Sequence, residues 1–241
     1  MQNQLSGKTA LVTGASKGIG YGIAESLGAA GANVMICSRD AEEVKKAASE
    51  LDARGSADVE GRTCDMRSFD SVQQLVSATV ERFGGLDILI NNAGVGAFAP
   101  IDQISVDSWH QILETNLNGV FYACREAIPH MRRRGSGWII NIGSLAGKNP
   151  IPGGTAYNAS KFGLLGFSEA MMLDVRDYGI RVSCIMPGSV ETHFNGHAPS
   201  GENDWKLQPE DIAEMVMDLL SFNSRALPSR VEMRPSRPPK K

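Results

Sequence analysis

The sequence predicts one α/β domain in which helices cover both faces of a parallel sheet. Short runs rich in Val, Ile and Leu alternate with longer segments whose apolar residues recur every three or four positions. Strands that are apolar throughout are usually buried on both faces, as in a doubly wound sheet. No internal repeat or low-complexity linker divides the 241 residues, so we expect a single domain over 1–241, with a Pro-rich basic tail at 235–241.

The predicted strands are the apolar runs. They cover residues 10–13, 33–37, 86–91, 138–142 and 182–186. A further run at 231–233 can add a last strand, but the Pro-rich residues beyond it cannot form regular sheet or helix.

The predicted helices are the amphipathic segments between these runs. They cover residues 19–30, 41–53, 69–83, 106–133, 155–178 and 209–222. Because strands and helices alternate, each crossover returns the chain to a parallel neighbour. The sequence therefore predicts a doubly wound domain of the Rossmann type.

Charge and cysteine content argue against several classes of protein. The formal net charge is -3, and the only basic runs lie at 132–134 and 230–241, so no nucleic-acid partner is expected. Four cysteines stand singly in apolar segments, without the spacing of a metal site: Cys37, Cys64, Cys124 and Cys184. We interpret them as reduced core thiols, which indicates a cytoplasmic protein without a bound metal.

No segment of the sequence has the properties of a membrane anchor. The first residues lack an apolar signal region, and no apolar stretch reaches the roughly 20 residues that span a bilayer. We therefore expect a soluble protein without a membrane partner.

A glycine-rich turn follows the first predicted strand. Gly14, Gly18 and Gly20 stand between that strand and a helix, with Ser16, Lys17 and Ile19 among them. A phosphate can approach bare backbone and the positive N-terminus of the helix at such a turn. The turn could be purely structural, but its place at the first βα junction favours a dinucleotide site.

The second predicted strand ends where a dinucleotide enzyme reads the adenosine ribose. The side chains offered there are Ser38 and Arg39, a hydroxyl and a guanidinium that suit a 2′-phosphate. Lys17 could add a second cation. The sequence thus favours NADP(H) over NAD(H), although the preference would invert if Asp40, rather than Arg39, faced the ribose.

Tyr157 and Lys161 stand four residues apart, so a helix places them on one face. A free phenol has a pKa of about 10, and a neighbouring cation would favour its phenolate. Exposed helices often carry such a pair without any function. Its meaning therefore depends on the residues that surround it.

Several motifs in the right order resemble those of the short-chain dehydrogenase/reductase family, in its compact branch of roughly 250 residues. The resemblance covers about residues 5–222. Besides the glycine turn and the Tyr–Lys pair, it rests on five further motifs: Asp65, Asn91-Asn92-Ala93-Gly94, Asn116, Ser144, and Pro187-Gly188 with Thr192.

The resemblance implies a catalytic role for four residues. Tyr157 would protonate the alkoxide, Ser144 would donate to the carbonyl oxygen, and Lys161 would lower the pKa of Tyr157 and bond the nicotinamide ribose. Asn116, rather than Asn118, would hold a water against the lysine. A cap or turn serine remains the alternative for Ser144.

The resemblance also implies further cofactor contacts. Asp65 would bond the adenine amino group, unless it caps the next helix, and Met66 would close on the ring. The turn of Asn92, Ala93 and Gly94 would pass under the ribose. The residues implied at the nicotinamide carboxamide are Pro187, Gly188, Val190 and Thr192.

Other chemistries fit the sequence less well. Ser144 lacks the Gly-x-Ser-x-Gly elbow because residue 142 is Ile. His193 and His197 have helical spacing without the glutamate of a zinc motif, so both are assigned to a short lid between Thr192 and Pro209, or to its surface. Pocket walls are expected from residues 95–99, 145–152 and 188–205.

The end of the chain departs from the family pattern, because residues 227–241 lack its usual glycine pair. We expect the basic residues of this tail to be solvated or packed at an oligomer interface. The ending resembles that of members that act on small ketones or hydroxy acids.

The resemblance implies an NADP(H)-dependent carbonyl reductase that also works as an alcohol dehydrogenase. The alternatives are a 3-oxoacyl-(acyl-carrier-protein) reductase and, in another class, a non-catalytic NADP-binding sensor or scaffold. The expected partners are a small carbonyl or alcohol substrate and further copies of the chain, in a homodimer or homotetramer.

Overall fold

The computed structural model describes residues 4–54, 58–196, 203 and 205–237. Seven strands form one parallel sheet: β1 (Thr9–Thr13), β2 (Asn33–Ser38), β3 (Val59–Thr63), β4 (Ile88–Asn91), β5 (Gly137–Ile142), β6 (Ile180–Pro187) and β7 (Arg230–Met233). Their order is β3-β2-β1-β4-β5-β6-β7, and every neighbouring pair is parallel. The predicted doubly wound fold is therefore confirmed.

Seven α-helices accompany the sheet among the described residues. They are α1 (Gly18–Ala29), α2 (Ala41–Asp52), α3 (Phe69–Phe83), α4 (Val106–Leu113), α5 (Gly119–Arg134), α6 (Thr155–Val175) and α7 (Pro209–Ser221). None of the helices in the described part of the chain has the length and apolar character that crossing a membrane requires.

Two hydrophobic clusters lie on the two faces of the sheet. One joins alternate residues of the central strands to α1, α2 and α7. The other joins the intervening strand residues to α3, α5 and α6. The central strands β1, β4 and β5 are buried along their whole length, as their continuous apolar sequence predicts. All four cysteines are free and buried, which confirms them as core thiols.

The apolar pattern missed strand β3, Val59–Thr63. Its sequence, Val-Glu-Gly-Arg-Thr, is mostly polar, and its residues are half-buried or exposed. The strand lies at the edge of the sheet and pairs only with β2. An edge strand need not be apolar on both faces, so periodicity gave no signal here.

The helix predicted over 106–133 is interrupted. A π-helical turn, Glu114–Asn118, separates α4 from α5. The hydrophobic pattern continues across this turn because the backbone stays near helical dihedral angles. Single π turns inside helices are frequent at functional sites, and this one contains Asn116.

Candidate active site

A cleft of about 1250 Å³ runs along the carboxyl edge of the sheet. Turns after parallel strands meet at this edge, where open α/β sheets bind their ligands. Nearly all predicted site residues line this one cleft; Gly20 and Asn116 lie beneath it, buried. Residues from the glycine turn to Tyr157 share the cleft, so a single long ligand could touch both ends.

The glycine turn has the backbone that its sequence predicts. Gly14 and Gly18 have φ of 64° and 63°, a region that favours glycine. A Cβ on Gly20 would lie 2.5 Å from Nδ2 of Asn92, so glycine is required for close packing there. Helix α1 begins without a side-chain cap or an acidic first turn, which leaves its first N–H groups available to an anion.

Asn92 fastens the glycine turn to the turn after β4. Its Nδ2 donates to the backbone oxygens of Thr13 and Gly14, both at 2.9 Å. The hydroxyl of Thr13 accepts from the backbone N–H groups of Asn92 and Ala93, both at 3.0 Å. The Asn92 side chain therefore shapes the floor of the cleft.

The side chain of Asp40, just after β2, is engaged in a hydrogen bond within the protein. Its Oδ1 accepts from the backbone N–H of Glu43 at 2.9 Å and so caps helix α2. Arg39 is exposed and lines the cleft. Asp40 lines the cleft as well, so both side chains border the place where a ribose would lie.

Glu43 is a residue of the cleft that the sequence analysis missed. Its carboxylate accepts from Lys17 Nζ at 3.1 Å and from Ser16 Oγ at 3.2 Å. Glu43 is 26 residues away from Lys17 in the sequence, so no local pattern could have found this contact. It places a negative charge beside the cation expected to meet a 2′-phosphate.

Asp65 does not cap helix α3, because Ser68 does so by accepting from the backbone N–H of Ser71. The Asp65 carboxylate instead forms a paired contact with the Arg67 guanidinium, at 2.6 Å and 3.0 Å. The hydrogen bonds from Arg67 lower the pKa of Asp65, so its carboxylate is ionised and can accept a further donor. Asp65 and Met66 both line the cleft.

Tyr157 is half-buried and packs beside two aromatic rings. The ring centroids of Phe98 and Phe194 are each 5.6 Å from that of Tyr157. This burial raises the pKa of Tyr157, while a hydrogen bond with Ser144 acts in the lowering direction. Desolvation is the larger of these two effects, and the lowering of this pKa by Lys161 stays a prediction.

Lys161 lies below Tyr157 and is almost completely buried. Its Nζ donates to the backbone oxygen of Ile142 at 2.9 Å and lies 5.8 Å from the Tyr157 ring centroid. Burial lowers the pKa of Lys161 to about 8. The neighbouring Cys184 supplies no negative charge at neutral pH, because burial raises its own pKa to about 11.

Ser144 lies two residues after β5, where it caps the next turn and lines the cleft. Its Oγ accepts from the backbone N–H of Ala146 at 3.1 Å, at the start of a 3₁₀ turn, Leu145–Gly147. The hydroxyl proton is not used by this bond. It can therefore be donated into the cleft, towards Tyr157 or a ligand.

Asn116 lies in the π-helical turn, under the floor of the cleft. Its Nδ2 donates to Val95 O at 2.9 Å and to Ser160 Oγ at 3.1 Å, and its Oδ1 accepts from Val95 N at 2.8 Å. Asn118 is exposed. Both amide protons of Asn116 are thus used by acceptors of the protein, and its side chain fastens the loop at Val95; the water expected beside Lys161 stays a prediction.

The segment after β6 closes the cleft from the other side. Gly188 N donates to Met233 O at 2.8 Å, and Val190 forms a bridge with Leu207. A Cβ on Gly18 would lie 3.6 Å from Thr192, so this segment meets the glycine turn. The predicted contacts at Pro187, Gly188, Val190 and Thr192 all line the cleft.

The lid is described only in part. His193 lines the cleft, whereas His197 lies outside the described residues. Within the described part of the chain, no group of three or more possible metal ligands occurs.

The beginning of the C-terminal tail also lines the cleft, which the sequence analysis did not predict. The four residues concerned are Arg234, Pro235, Ser236 and Arg237. They follow β7, whose Met233 pairs with Pro187 of β6. This segment therefore lies at the same edge of the sheet as the candidate catalytic residues.

Known proteins share this fold and this sequence pattern. The sequence profile described as short chain dehydrogenase matches residues 8–203. The chain belongs to the short chain dehydrogenase family.

Two curated relatives show how this short chain dehydrogenase compares with characterised members. A 3-oxoacyl-(acyl-carrier-protein) reductase of Chlamydia muridarum (strain MoPn / Nigg) is 34% identical over 240 residues, 96% of this chain and 97% of the relative. A D-beta-hydroxybutyrate dehydrogenase of Rhizobium meliloti (strain 1021) is 38% identical over 186 residues, 77% of this chain and 72% of the relative.

A solved structure matches this short chain dehydrogenase along its whole length. It is a metagenomic short-chain oxidoreductase in complex with NADP, with a TM-score of 0.85 and 34% identity, covering 97% of this chain and 99% of the other. This short chain dehydrogenase is an oxidoreductase that acts on CH–OH and C=O groups.

The cleft of this short chain dehydrogenase fits a nicotinamide dinucleotide. The uncapped start of α1 suits a diphosphate, and the cleft has room for a ligand of this length and a small substrate. Lys17 and Arg39 lie at one end of the cleft, and Tyr157 lies at the other.

Proposed function

We propose that the protein is an NADPH-dependent carbonyl reductase that also oxidises the corresponding secondary alcohol. One observation carries this proposal: Ser144 and Tyr157 face each other in a cleft that also contains the glycine turn. The bound nicotinamide would supply or accept the hydride. Everything else in the reaction would be done by residues of the chain.

Two hydroxyl groups would serve the substrate oxygen. Ser144 has a free proton to donate to a carbonyl oxygen and would stabilise the charge that develops on it. Tyr157 keeps its proton at neutral pH because burial raises its pKa, so it can protonate the alkoxide. In the oxidative direction, the phenolate of Tyr157 would accept the proton of the alcohol as the hydride leaves for the nicotinamide.

The cofactor would be held at three places. The uncapped N–H groups of α1 would receive the diphosphate, Asp65 would accept from the adenine, and Lys161 would bond the nicotinamide ribose. Asn92 would act indirectly, by holding the glycine turn against the turn after β4.

NADP(H) would be preferred over NAD(H). Lys17, Ser38 and Arg39 line the adenosine end, and Asp40 is occupied as a helix cap. The similar structure bound to NADP supports the same preference. Glu43 opposes it, because a 2′-phosphate would have to displace or tolerate this carboxylate near Lys17.

Reduction of carrier-bound 3-oxoacyl groups is the second candidate activity. It is supported by the similarity to a 3-oxoacyl-(acyl-carrier-protein) reductase over nearly the whole chain. A small substrate is supported by the similarity to a D-beta-hydroxybutyrate dehydrogenase, and by the bulky Phe98, Phe194 and Trp205 around the catalytic end. Rates with acetoacetyl thioesters and with small oxo acids would distinguish the two activities.

Substitution of Tyr157 tests the proposed reaction. We expect Tyr157→Phe to lower kcat by about 100-fold or more, because no other acid adjoins the substrate oxygen in this scheme. The dissociation constant for NADPH should change less than about twofold, since Lys161 and the glycine turn are intact. The decrease of NADPH absorbance with a panel of ketones, aldehydes and oxo acids measures kcat. NADPH fluorescence measures the dissociation constant.

Two results would contradict the proposal. Unchanged turnover in Tyr157→Phe would remove the phenol from the reaction. Absence of NADPH oxidation by the wild-type protein across the whole panel, with normal NADPH binding, would favour the non-catalytic sensor or scaffold.

A further inference from the structure

The first residues of the C-terminal tail form a wall at the catalytic end of the cleft. Pro235 packs beside Gly188 and Leu145: a Cβ on Gly188 would lie 3.2 Å from atoms of both. Leu145 directly follows Ser144, the proposed donor to the substrate oxygen. Pro235 therefore lies near the reacting end, and Arg234 and Arg237, within two residues of it in the chain, line the same cleft.

This wall has an excess of positive charge. The Glu232 carboxylate pairs with Lys148 at 2.7 Å and with Arg234 at 2.9 Å, so one negative charge faces two positive ones. Both partners lower the pKa of Glu232, which is therefore ionised. Arg237 adds another cation, and it forms no ion pair with any residue in the described part of the chain.

The negative charges of the cleft lie elsewhere. Among the described lining residues, the carboxylates are Asp40, Glu43 and Asp65, all after β2 and β3 at the adenosine end. Lys206 also lines the cleft, but it is paired with Glu191 at 2.9 Å. Besides Lys161, which is assigned to the cofactor, Arg237 is thus the lining cation of this end without an ion pair among the described residues, and Arg234 shares Glu232 with Lys148.

Several apolar side chains also line this end of the cleft. Phe98 and Phe194 enclose Tyr157, and Leu145, Ile151 and Trp205 line the cleft with them. A ligand that matched both features would have a short carbon chain or ring and an anionic group beyond it. A guanidinium recognises a carboxylate well, because both groups are planar and can form two parallel hydrogen bonds.

We propose that Arg234 and Arg237 bind a carboxylate of the substrate, so that the enzyme acts on oxo acids and hydroxy acids. This proposal rests on the proposed carbonyl reductase activity and specifies its substrate class. The same anion chemistry could also serve the diphosphate of the cofactor, and the experiment separates the two.

Matched pairs of substrates test the assignment. Short 3-oxo acids and their methyl esters carry the same reacting carbonyl and differ in charge. We expect the wild-type protein to prefer the acid in kcat/KM by about tenfold or more, and Arg237→Gln and Arg234→Gln to remove most of that preference. Arg225→Gln, at an exposed arginine outside the cleft, is the matched control and should keep it.

The outcomes distinguish the possible roles of the arginines. A wild-type preference for the esters, or equal losses for acid and ester in both arginine variants, would overturn the assignment. A rise in the KM for NADPH with the acid preference unchanged would assign the arginines to the cofactor diphosphate, which would also overturn it.

A binding measurement keeps the assignment testable without turnover. Acetoacetate should raise the Tm of the enzyme with NADP⁺ more than methyl acetoacetate does, and this difference should vanish in Arg237→Gln. If no carbonyl compound were reduced, the proposed function would fail, yet an acid-specific shift would still support the anion site. Absence of any such difference would overturn the site independently.

Discussion

Burial acts on the two ionisable side chains of the catalytic end in opposite ways. It raises the pKa of Tyr157, which stays a protonated phenol, and it lowers the pKa of Lys161 to about 8. The phenol is thus kept in its acid form for reduction. The charge of Lys161, however, becomes sensitive to pH within the physiological range.

Cofactor affinity should therefore depend on the protonation of Lys161. Below about pH 8, Lys161 of the free enzyme is charged and can bind an anionic dinucleotide fully; as the pH rises through 8 the proton is lost. We expect kcat/KM for NADPH to be flat below this value and to fall about tenfold per pH unit well above it. Steady-state kinetics between pH 6 and pH 10 measure the profile.

The control for this profile is Cys184→Ser. The Cys184 thiol near Lys161 could also titrate, but its pKa of about 11 places it outside the range. The fall above pH 8 should therefore persist in the variant. A flat wild-type profile up to pH 9.5 would show that Lys161 keeps its charge and is not the group that limits NADPH binding.

Glu43 should limit the selectivity for NADPH over NADH. Glu43→Gln removes the carboxylate that is 3.1 Å from Lys17 Nζ and leaves this lysine free for a 2′-phosphate. Because both side chains are about half exposed, solvent screens the effect, and we expect the KM for NADPH to fall about two- to fivefold. The KM for NADH should not change.

Glu42→Gln is the matched control for Glu43→Gln. Glu42 is also exposed in the first turn of α2, but it does not line the cleft. If both substitutions lowered the KM for NADPH equally, the cause would be the overall charge of this surface. If Glu43→Gln left this KM unchanged, Lys17 would not contact the 2′-phosphate.

At the scale of single residues, the sequence was informative where a residue type and its local spacing carry the chemistry. The glycines of the first turn and the pair Tyr157 and Lys161 belong to this class. Glu43 and Arg237 do not, because each enters the cleft through contacts between distant parts of the chain. The burial that raises the pKa of Tyr157 also comes from tertiary packing, in which Phe98 and Phe194 take part.

Among the secondary-structure elements too, some follow from local sequence and others depend on the tertiary structure. Strands buried on both faces were found from their apolar runs, whereas the polar edge strand β3 was not. The π-helical turn at Glu114–Asn118 widens the helix locally, while the amphipathic pattern of the sequence continues through it. Periodicity therefore cannot distinguish this turn from α-helix. Its position is decided by packing against the rest of the site.

The 3₁₀ turn Leu145–Gly147 is the element whose position should matter most for Ser144. A Cβ on Gly147 would lie 2.7 Å from the backbone oxygen of Lys161, so Gly147→Ala must push the turn away from α6. We expect the substitution to lower the free energy of unfolding by about 1–3 kcal/mol and kcat by about tenfold or more. Urea unfolding and steady-state kinetics measure the two effects.

Gly166→Ala provides the control for this substitution. Gly166 lies in the same helix, α6, but is exposed, and a Cβ there would meet no other atom within 4 Å. Alanine favours helix by about 0.5–1 kcal/mol relative to glycine, so this variant should be slightly stabilised and fully active. Full activity in Gly147→Ala as well would show that the turn does not position Ser144.

At the scale of the whole molecule, α5 and α6 carry large apolar side chains on the outside. Phe121, Phe162 and Leu173 are between 45% and 55% exposed. A surface of this kind suits contact with a second copy of the chain, so we propose a homodimer or homotetramer formed through these two helices. Cytoplasmic location likewise stays a prediction.

The proposed assembly should be sensitive to charge on that surface. We expect Phe162→Glu to convert the oligomer to a monomer in sedimentation velocity at micromolar concentration, because a carboxylate would be buried without a partner. Val106→Glu, at an exposed apolar residue at the start of α4, should keep the oligomer. A monomeric wild-type protein would contradict the assembly itself.

The tail illustrates what topology adds to sequence. Residues 230–241 read as a basic, Pro-rich ending with no assigned role, yet β7 pairs with β6 and directs residues 234–237 into the cleft. The register of that pairing is a property of the assembled sheet. No pattern within the tail itself indicates it.

The sequence by itself determined the doubly wound fold, the glycine turn and the order of the motifs, because burial on two faces and backbone freedom are local requirements. Only the tertiary structure decided which charges meet in the cleft. It placed Glu43 beside Lys17, packed Tyr157 beside two aromatic rings and brought Arg234 and Arg237 to the cleft. Electrostatic contacts and desolvation depend on distances in space, which residues far apart in the chain acquire only when the sheet has formed.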